Sequence, residues 1–307
     1  QGRSFQELEK IVNQKSITNF IKNLNEHGFG NKKDMFKAGI DFGIKSKNIN
    51  LKTHYTYFGR TKTKVLSNKL ESSIKTKNRK QFIDKKLTKS VDYNVKYVYH
   101  PLHIDQERTT LIETPFYTNQ IEFIRNIVKS LPIDHVLYVK EHPTQSMRHW
   151  RSEEWYQEVM EIPNVTLIHP DISSQELTKN CSLLITISGT AALEAAFLQK
   201  PSITFIDSDY TKIDSIERVK SIEELPKMIR KSIKKKITSE DLDRYVSLKE
   251  NYAFDYNDED FQQSSLNKFY HGGQLVDVDI MNEDMKEFLE ESEKKLNEFI
   301  NQHIKKI

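Results

Sequence analysis

The sequence is short of what disulfide frameworks, membrane spans and glycine-rich phosphate loops are made from. A single cysteine, Cys181, in 307 residues excludes an intramolecular disulfide framework and fits a reducing compartment. Standing just before the apolar run 182–187, it reads as a buried, inert thiol. Nine glycines make up about 3% of the chain, against a usual ~7%. Walker, Gly-x-Gly-x-x-Gly, Gly-x-Ser-x-Gly and protein-kinase signatures are absent, so the few glycines beside small or hydroxylated residues gain interest. The most apolar stretch, 181–198, is broken by Gly189, Thr190 and Glu194, which predicts strand, turn and helix and a soluble protein at most peripheral to a membrane. No His-x-x-x-His or Cys-x-x-Cys spacing marks a dedicated metal site, although six of the ten histidines (His100, His103, His135, His142, His149 and His169) crowd into 100–169 and raise one as an alternative. With 36% hydrophobic, 30% charged and 10% aromatic residues, the chain is neither collagen-like nor disordered, and its length suits one large domain or two ordinary ones. The start at Gln1-Gly2-Arg3, without Met, suggests a piece of a longer protein or a processed product.

The formal net charge of +3 hides a strong asymmetry. Residues 1–90 carry 21 basic against 7 acidic side chains, and the remainder 26 against 37. The basic third suits an anionic partner such as a phospholipid surface or an acidic sugar polymer, or is a solvated Lys-rich surface. Tyr55, Tyr57 and Phe58 form no base-stacking platform, so no nucleic-acid partner is expected.

Apolar spacing predicts a helix over 5–24, ended by the Gly28-Phe29-Gly30 turn, and mainly helix with loops over 45–89. From Tyr93 the pattern becomes regular. Strands are expected at 93–99, 135–140, 165–168, 183–187 and 202–206. Between them helices open at Thr114-Pro115, at the cap Ser152, at the Ser173/Glu176 capping box and at Thr190. This alternation predicts an α/β fold with a doubly wound parallel sheet. Helical segments at 221–236 and 239–251, an acidic loop near 255–260 and a last helix with an apolar stripe (Met285, Phe288, Leu289, Leu296, Phe299, Ile300, Ile304) complete the chain. Three parts are expected: a basic, mainly helical segment 1–92, a Rossmann-like domain 93–270, and an amphipathic helix 271–307 packing back on the body.

Ligands of such sheets bind beyond the carboxyl ends of the strands, and three polar clusters fall there. In Lys140-Glu141-His142-Pro143, Lys140 and His142 can donate to a phosphate and Pro143 stiffens the turn; alone, the cluster reads better as a turn histidine beside a solvated lysine. In Ser188-Gly189-Thr190, Gly189 opens the backbone to an anion and the hydroxyls add donors, while Glu194, one helical turn on, can accept from sugar hydroxyls. Ser188 and Thr190 also suit a simple helix cap. The third cluster, 101–110, offers His103, Asp105 and Glu107 as acid/base candidates.

Together these clusters resemble the bacterial capsular polysaccharide biosynthesis protein family, whose members include transferases of Kdo from its CMP-activated form. The matching residues are Pro101, Leu102, Glu107, Thr110, Gln120, the run Val139-Lys140-Glu141-His142-Pro143, Arg148, Pro163-Asn164-Val165, Gly189, Thr190, Glu194, Ala195, Lys200-Pro201 and Tyr210. The match covers about 95–215. Where the family commonly has glycine in the helix-opening turn and before the final aromatic pair, this chain has Ala191 or Ala192 and Ser208-Asp209. The resemblance implies a GT-B glycosyltransferase fold in which 93–270 is the donor-binding, C-terminal half and 1–92 a partial acceptor-side domain. It implies that Lys140, His142, Pro143, Arg148, Ser188, Gly189, Thr190 and Glu194 hold a nucleotide sugar, with His103, Asp105, Gln120 and Tyr210 nearby, and that Glu107 and His142 carry catalysis. No tightly bound cofactor and no metal are expected. The donor is expected to be CMP-linked, the acceptor an anionic glycan or a lipid-linked one, and the place of action the cytoplasm, at the inner face of the membrane. The alternatives are a polyol-phosphate transferase and a non-catalytic nucleotide-sugar-binding scaffold.

Overall fold

The computed structural model describes residues 2–14, 32–44, 62–105, 107–254, 258–273 and 280–306. The expected Gly28-Phe29-Gly30 turn and residues 255–257 of the acidic loop expected near 255–260 lie outside the described residues; 258–260 open a helix rather than a loop. The described chain forms two compact units, one of residues 1–15 and 72–247, the other of 16–71 and 248–307.

The first unit is built on a six-stranded, all-parallel sheet. Its strands are β1 (Tyr97–Pro101), β2 (Val136–Lys140), β3 (Val165–Ile168), β4 (Leu183–Ile185), β5 (Ser202–Thr204) and β6 (Ile216–Arg218), in the order β3-β2-β1-β4-β5-β6. This is the doubly wound order, and the predicted fold class is present. Five strands were expected; β6 is three residues long with only Ile216 buried, too little apolar pattern for a sequence reading to register. The first strand starts at Tyr97 rather than Tyr93, because Tyr93 and Val95 face solvent.

Helices cover both faces of the sheet, so its strands read as continuous apolar runs. On one face, α4 (Gln120–Ser130) and α8 (Leu225–Ile233) bury Ile124, Ile127 and Ile229 with Val98, Leu137, Val139 and Ile185. The expected helix start at Pro115 is a single 3₁₀ turn, Pro115–Tyr117, and α4 begins at Gln120 because Asn119 accepts a hydrogen bond from the Glu122 N–H at 3.2 Å. The caps Ser152 and Ser173 are as predicted: each accepts from the amide three residues on, at 3.2 Å, opening α5 (Glu153–Met160) and α6 (Ser174–Asn180). On the other face, Tyr97 and Tyr138 stack with ring centroids 4.3 Å apart beside Leu177 and Ala195 of α6 and α7 (Ala191–Phe197). Cys181 lies here too; burial pushes its thiol up to about 12, in keeping with an inert side chain.

At the amino-terminal side, α1 (Phe5–Gln14) packs Leu8 against Ala192 and Ala196 of α7 and Leu242 and Val246 of α9 (Ser239–Tyr252). The long helix α3 (Lys62–Lys86) delivers Ile83, and Leu87 just after it, into the core of the sheet. The unit boundaries at 71/72 and 247/248 therefore differ from the expected 92/93 and 270/271. In the second unit, α2 (Lys32–Ile44) joins the 3₁₀ turn His271–Gly273 through His271 Nε2 and Asp41, 3.1 Å apart. There α10 (Asp258–Phe269) and α11 (Asn282–Lys306) meet around Phe261, Phe269 and Phe288. Of the apolar stripe on α11, Phe288 is buried whereas Met285, Leu289, Phe299, Ile300 and Ile304 are exposed. Among the described residues no helix is long and apolar enough to cross a membrane.

Candidate functional site

The strand order reverses between β1 and β4, and in such sheets the loops leaving these two strands flank the ligand crevice. His100, at the end of β1, donates from Nδ1 to the carbonyl of Ile185 at 2.7 Å and fastens the two strands. Burial lowers its pKa to about 3, so the ring is neutral. Beyond the strand, Gln120 brackets the His103 backbone, accepting from its N–H at 2.9 Å and donating to its C=O at 3.1 Å. The His103 ring thereby reaches the β4 loop: Nε2 lies 3.0 Å from Thr186 Oγ1 and accepts from the Ser188 N–H at 3.3 Å. That acceptor role leaves the proton on Nδ1, which faces Glu107 Oε2 at 3.5 Å.

Gly189 follows with φ +106°. A Cβ there would meet His103 Cε1 at an ordinary 3.7 Å, so backbone conformation rather than space calls for glycine. The Tyr210 hydroxyl donates to the Gly189 carbonyl at 3.0 Å, and the Ser188 hydroxyl is buried with no protein partner. Six predicted site residues, His103, Glu107, Gln120, Ser188, Gly189 and Tyr210, are thus brought together. Thr190 does not act as a side-chain cap; its hydroxyl donates to Glu194 at 3.0 Å. Glu194 is exposed, yet the protein around it partly desolvates its carboxyl and raises the pKa, and the Thr190 hydrogen bond offsets part of that rise.

At the end of β2, side-chain alternation separates neighbours. Lys140 points to the α6 side, where Nζ donates to Ser174 Oγ at 2.7 Å; burial lowers its pKa to about 8, with Asp171 and Glu141 opposing. Its ammonium is engaged on Ser174. Glu141 is fully buried. The His142 ring accepts at Nδ1 from the Thr144 N–H at 3.3 Å, which puts its proton on Nε2. Burial is the main reason its pKa falls to about 4, against an upward pull from Glu107 and with His103, Lys140 and Arg151 adding to the fall. His142 is therefore a neutral Nε2–H donor at physiological pH. Pro143 and Arg148 begin and end a short 3₁₀ turn; their side chains lie outside what the structure describes.

Sequence reasoning missed Arg151. It is almost completely buried, donates from Nε to Glu141 Oε2 at 2.7 Å and pairs with Asp105, whose own N–H donates to Gln145 Oε1 at 3.0 Å. Burial opposes its charge, but Glu141 and Asp105 outweigh that and raise its pKa. Asp105 is thus the counter-ion of Arg151. Nothing local marks Arg151, since an arginine before a Ser-capped helix reads as solvated; only a family arginine three residues earlier, at Arg148, pointed to the segment.

The other histidines are also engaged by the protein: His135 with Asp134 at 2.8 Å, His149 with Thr76 at 2.7 Å and His169 with Asp84 at 3.0 Å. Among the described residues no cluster of three His, Cys, Asp or Glu side chains is arranged to hold a metal ion.

No curated protein matches the chain. Among solved structures, a UDP-GlcNAc 2-epimerase from Methanocaldococcus jannaschii matches at 19% identity over 56% of this chain and 48% of its own, with a TM-score of 0.37. The MnaA–UDP complex of S. aureus matches at 17% over 52% and 43%, with 0.35. KpsC of Thermosulfurimonas dismutans, a beta Kdo 2,7 transferase, matches at 12% over 50% and 51%, with 0.30. The chain spans about half the length of the structures it matches. The sequence profile of the capsule polysaccharide biosynthesis proteins matches residues 25–212, a span that holds β1 to β5, the switch-point crevice and all three polar clusters. The chain belongs to the capsule polysaccharide biosynthesis protein family.

Proposed function

We propose that this protein is a glycosyltransferase of capsular polysaccharide synthesis, and that its first unit is the donor-binding half of a GT-B enzyme. The observation that carries the reading is the His103 ring at the β1/β4 switch point, held between Glu107 and the Ser188-Gly189 backbone. The nucleotide-sugar donor sits over Gly189, with its phosphate facing the His142 Nε2–H and the unpartnered Ser188 hydroxyl. The Glu194 carboxyl, exposed beside Thr190, accepts from hydroxyls of the ribose or sugar. Glu107, oriented by the His103 Nδ1–H, takes the proton of the acceptor hydroxyl, while His142 stabilises charge on the departing phosphate. Its neutral ring gives a hydrogen bond whose strength does not vary with pH across the physiological range.

The donor is a CMP-linked acidic sugar such as Kdo. The acceptor is an anionic glycan or a lipid-linked precursor, met at the inner face of the membrane and held in part by the basic amino-terminal third. Calorimetry with CMP, CDP and UDP on the wild type and His142→Ala tests the site. CMP binding lost in the variant is the expected result, and no nucleotide binding by the wild type removes the reading. Turnover of CMP-Kdo, abolished in Glu107→Gln, separates a transferase from a binding scaffold; CDP preferred over CMP favours polyol-phosphate transfer.

A further inference from the structure

The guanidinium of Arg151 touches both loops of the proposed site. Its side chain is 1% exposed and uses every nitrogen: Nε donates to Glu141 Oε2 at 2.7 Å, Nη2 to Glu141 Oε1 at 3.5 Å and to the His103 carbonyl at 2.5 Å, and Nη1 to the Asp105 carboxylate. The plane of the group lies over the Trp155 ring, 4.3 Å from its centroid. Glu141 carries the connection onward. It accepts from the His142 N–H at 2.8 Å and from the Tyr156 hydroxyl at 2.9 Å. The loop after β1, with His103 and Glu107, and the loop after β2, with His142, are therefore joined through one planar fork. The backbone leading into it is also held. His149 and Trp150 both adopt left-handed conformations, with φ of 63° and 59°, unfavourable for residues with a Cβ, and Arg79 donates to both of their carbonyls at 3.0 Å. Replacing a buried ion pair such as Arg151–Glu141 with well-packed apolar residues is often neutral or stabilising, so its presence points to geometry as what it supplies.

We propose that Arg151 is a positioning residue, which sets the His103–Glu107 pair relative to His142 through Asp105 and the His103 carbonyl on one side and Glu141 on the other. The inference rests on the reading of these loops as the transferase site. Lysine keeps the charge but cannot span three acceptors with a fixed fork, so Arg151→Lys is the informative substitution.

Imidazole ¹⁵N NMR on the full chain reads the geometry without substrate. In the wild type, His142 is expected as the Nε2–H tautomer and His103 as Nδ1–H. Arg151→Lys should displace both sets of signals and leave His135, which is paired with Asp134 at the other end of its strand, where it was. Asp105 is about half exposed (46%), so Asp105→Ala cuts one arm with little threat to folding, and should displace His142 at the far end of the relay. Titration with CMP is the second arm: Arg151→Lys should weaken binding about tenfold, the loss of roughly one hydrogen bond to a charged group. Unmoved His103 and His142 signals in a folded Arg151→Lys protein overturn the proposal. If that variant does not fold, an unmoved His142 in Asp105→Ala overturns it. Displaced signals in a protein whose wild type binds no CMP support the positioning role and remove only the nucleotide reading.

Discussion

Burial sets the protonation state of the two histidines on which the crevice depends, and this has a direct consequence for acid stability. The folded His142 holds its proton only below about pH 4, and His100 only below about pH 3, whereas both titrate near 6.5 in the unfolded chain. As pH falls below 6.5 the unfolded state takes up protons that the folded state refuses. Stability is thus complete above that value and is lost on the way down to pH 4 and then 3, at up to about 1.4 kcal/mol per pH unit for each group. Urea midpoints measured at pH 7 and pH 5 should fall with acid, and the fall should be shallower in His142→Gln. Gly189 makes a second residue-scale case. At φ +106°, where an added Cβ makes only an ordinary van der Waals contact with His103, Gly189→Ala is expected to destabilise by about 1–3 kcal/mol through backbone strain, read as a lower melting temperature together with weaker CMP binding. His142 and Gly189 were legible from their motifs. Arg151 was not, because a buried charge is recognised by what surrounds it, and its partners Glu141, Asp105 and His103 lie 10, 46 and 48 residues away.

At the scale of elements, strand β2 shows how a two-residue period distributes function. Lys140 and Glu141 are neighbours in sequence yet serve opposite faces of the sheet, Lys140 toward Ser174 of α6 and Glu141 toward Arg151. The cationic form of Lys140 is disfavoured by burial, so its pKa of about 8 against 10.5 unfolded means that the folded state gains relative stability as pH rises through 8 to 10.5 and carries a cost below 8. Lys140→Met should therefore raise the melting temperature at pH 7, by roughly 2–4 °C for each kcal/mol regained, and weaken nucleotide binding if the ammonium serves the donor site. Scanning calorimetry and CMP titration of the same variant check both halves. Helix caps were the best-read elements: Ser152 and Ser173 each satisfy an amide within three residues, an interaction local enough for sequence to encode. Strand β6 went unread because tertiary pairing with β5, not apolar pattern, makes it a strand.

For the whole molecule, the contrast between a basic first third and an acidic remainder stands beside a fold that carries part of that third into its first unit. The carboxyl half of α3 seats Ile83 in the core while Lys77, Lys80, Lys85 and Lys86 remain exposed. If these lysines hold an anionic acceptor, affinity for an acidic oligosaccharide should drop as ionic strength rises from about 0.05 to 0.2 M, because exposed charges are screened over a Debye length of roughly 10 Å. Replacing the four with Gln should lower affinity at low salt and flatten its salt dependence, measured by fluorescence anisotropy; a salt-independent affinity would assign these lysines to solvation alone.

The sequence by itself determined the alternation of strands and helices, the caps, and the three polar loops at strand ends. All of these follow from periods of two to four residues and from hydrogen bonds that close within a turn. Only the tertiary structure decided that β1 and β4 lie side by side, that His103 therefore meets Ser188 across 85 residues, and that Lys140 meets Ser174 while Glu141, its neighbour, meets Arg151. Strand order depends on which apolar faces pack against which helices, a competition among distant segments that no local period records, and the crevice is a product of that order.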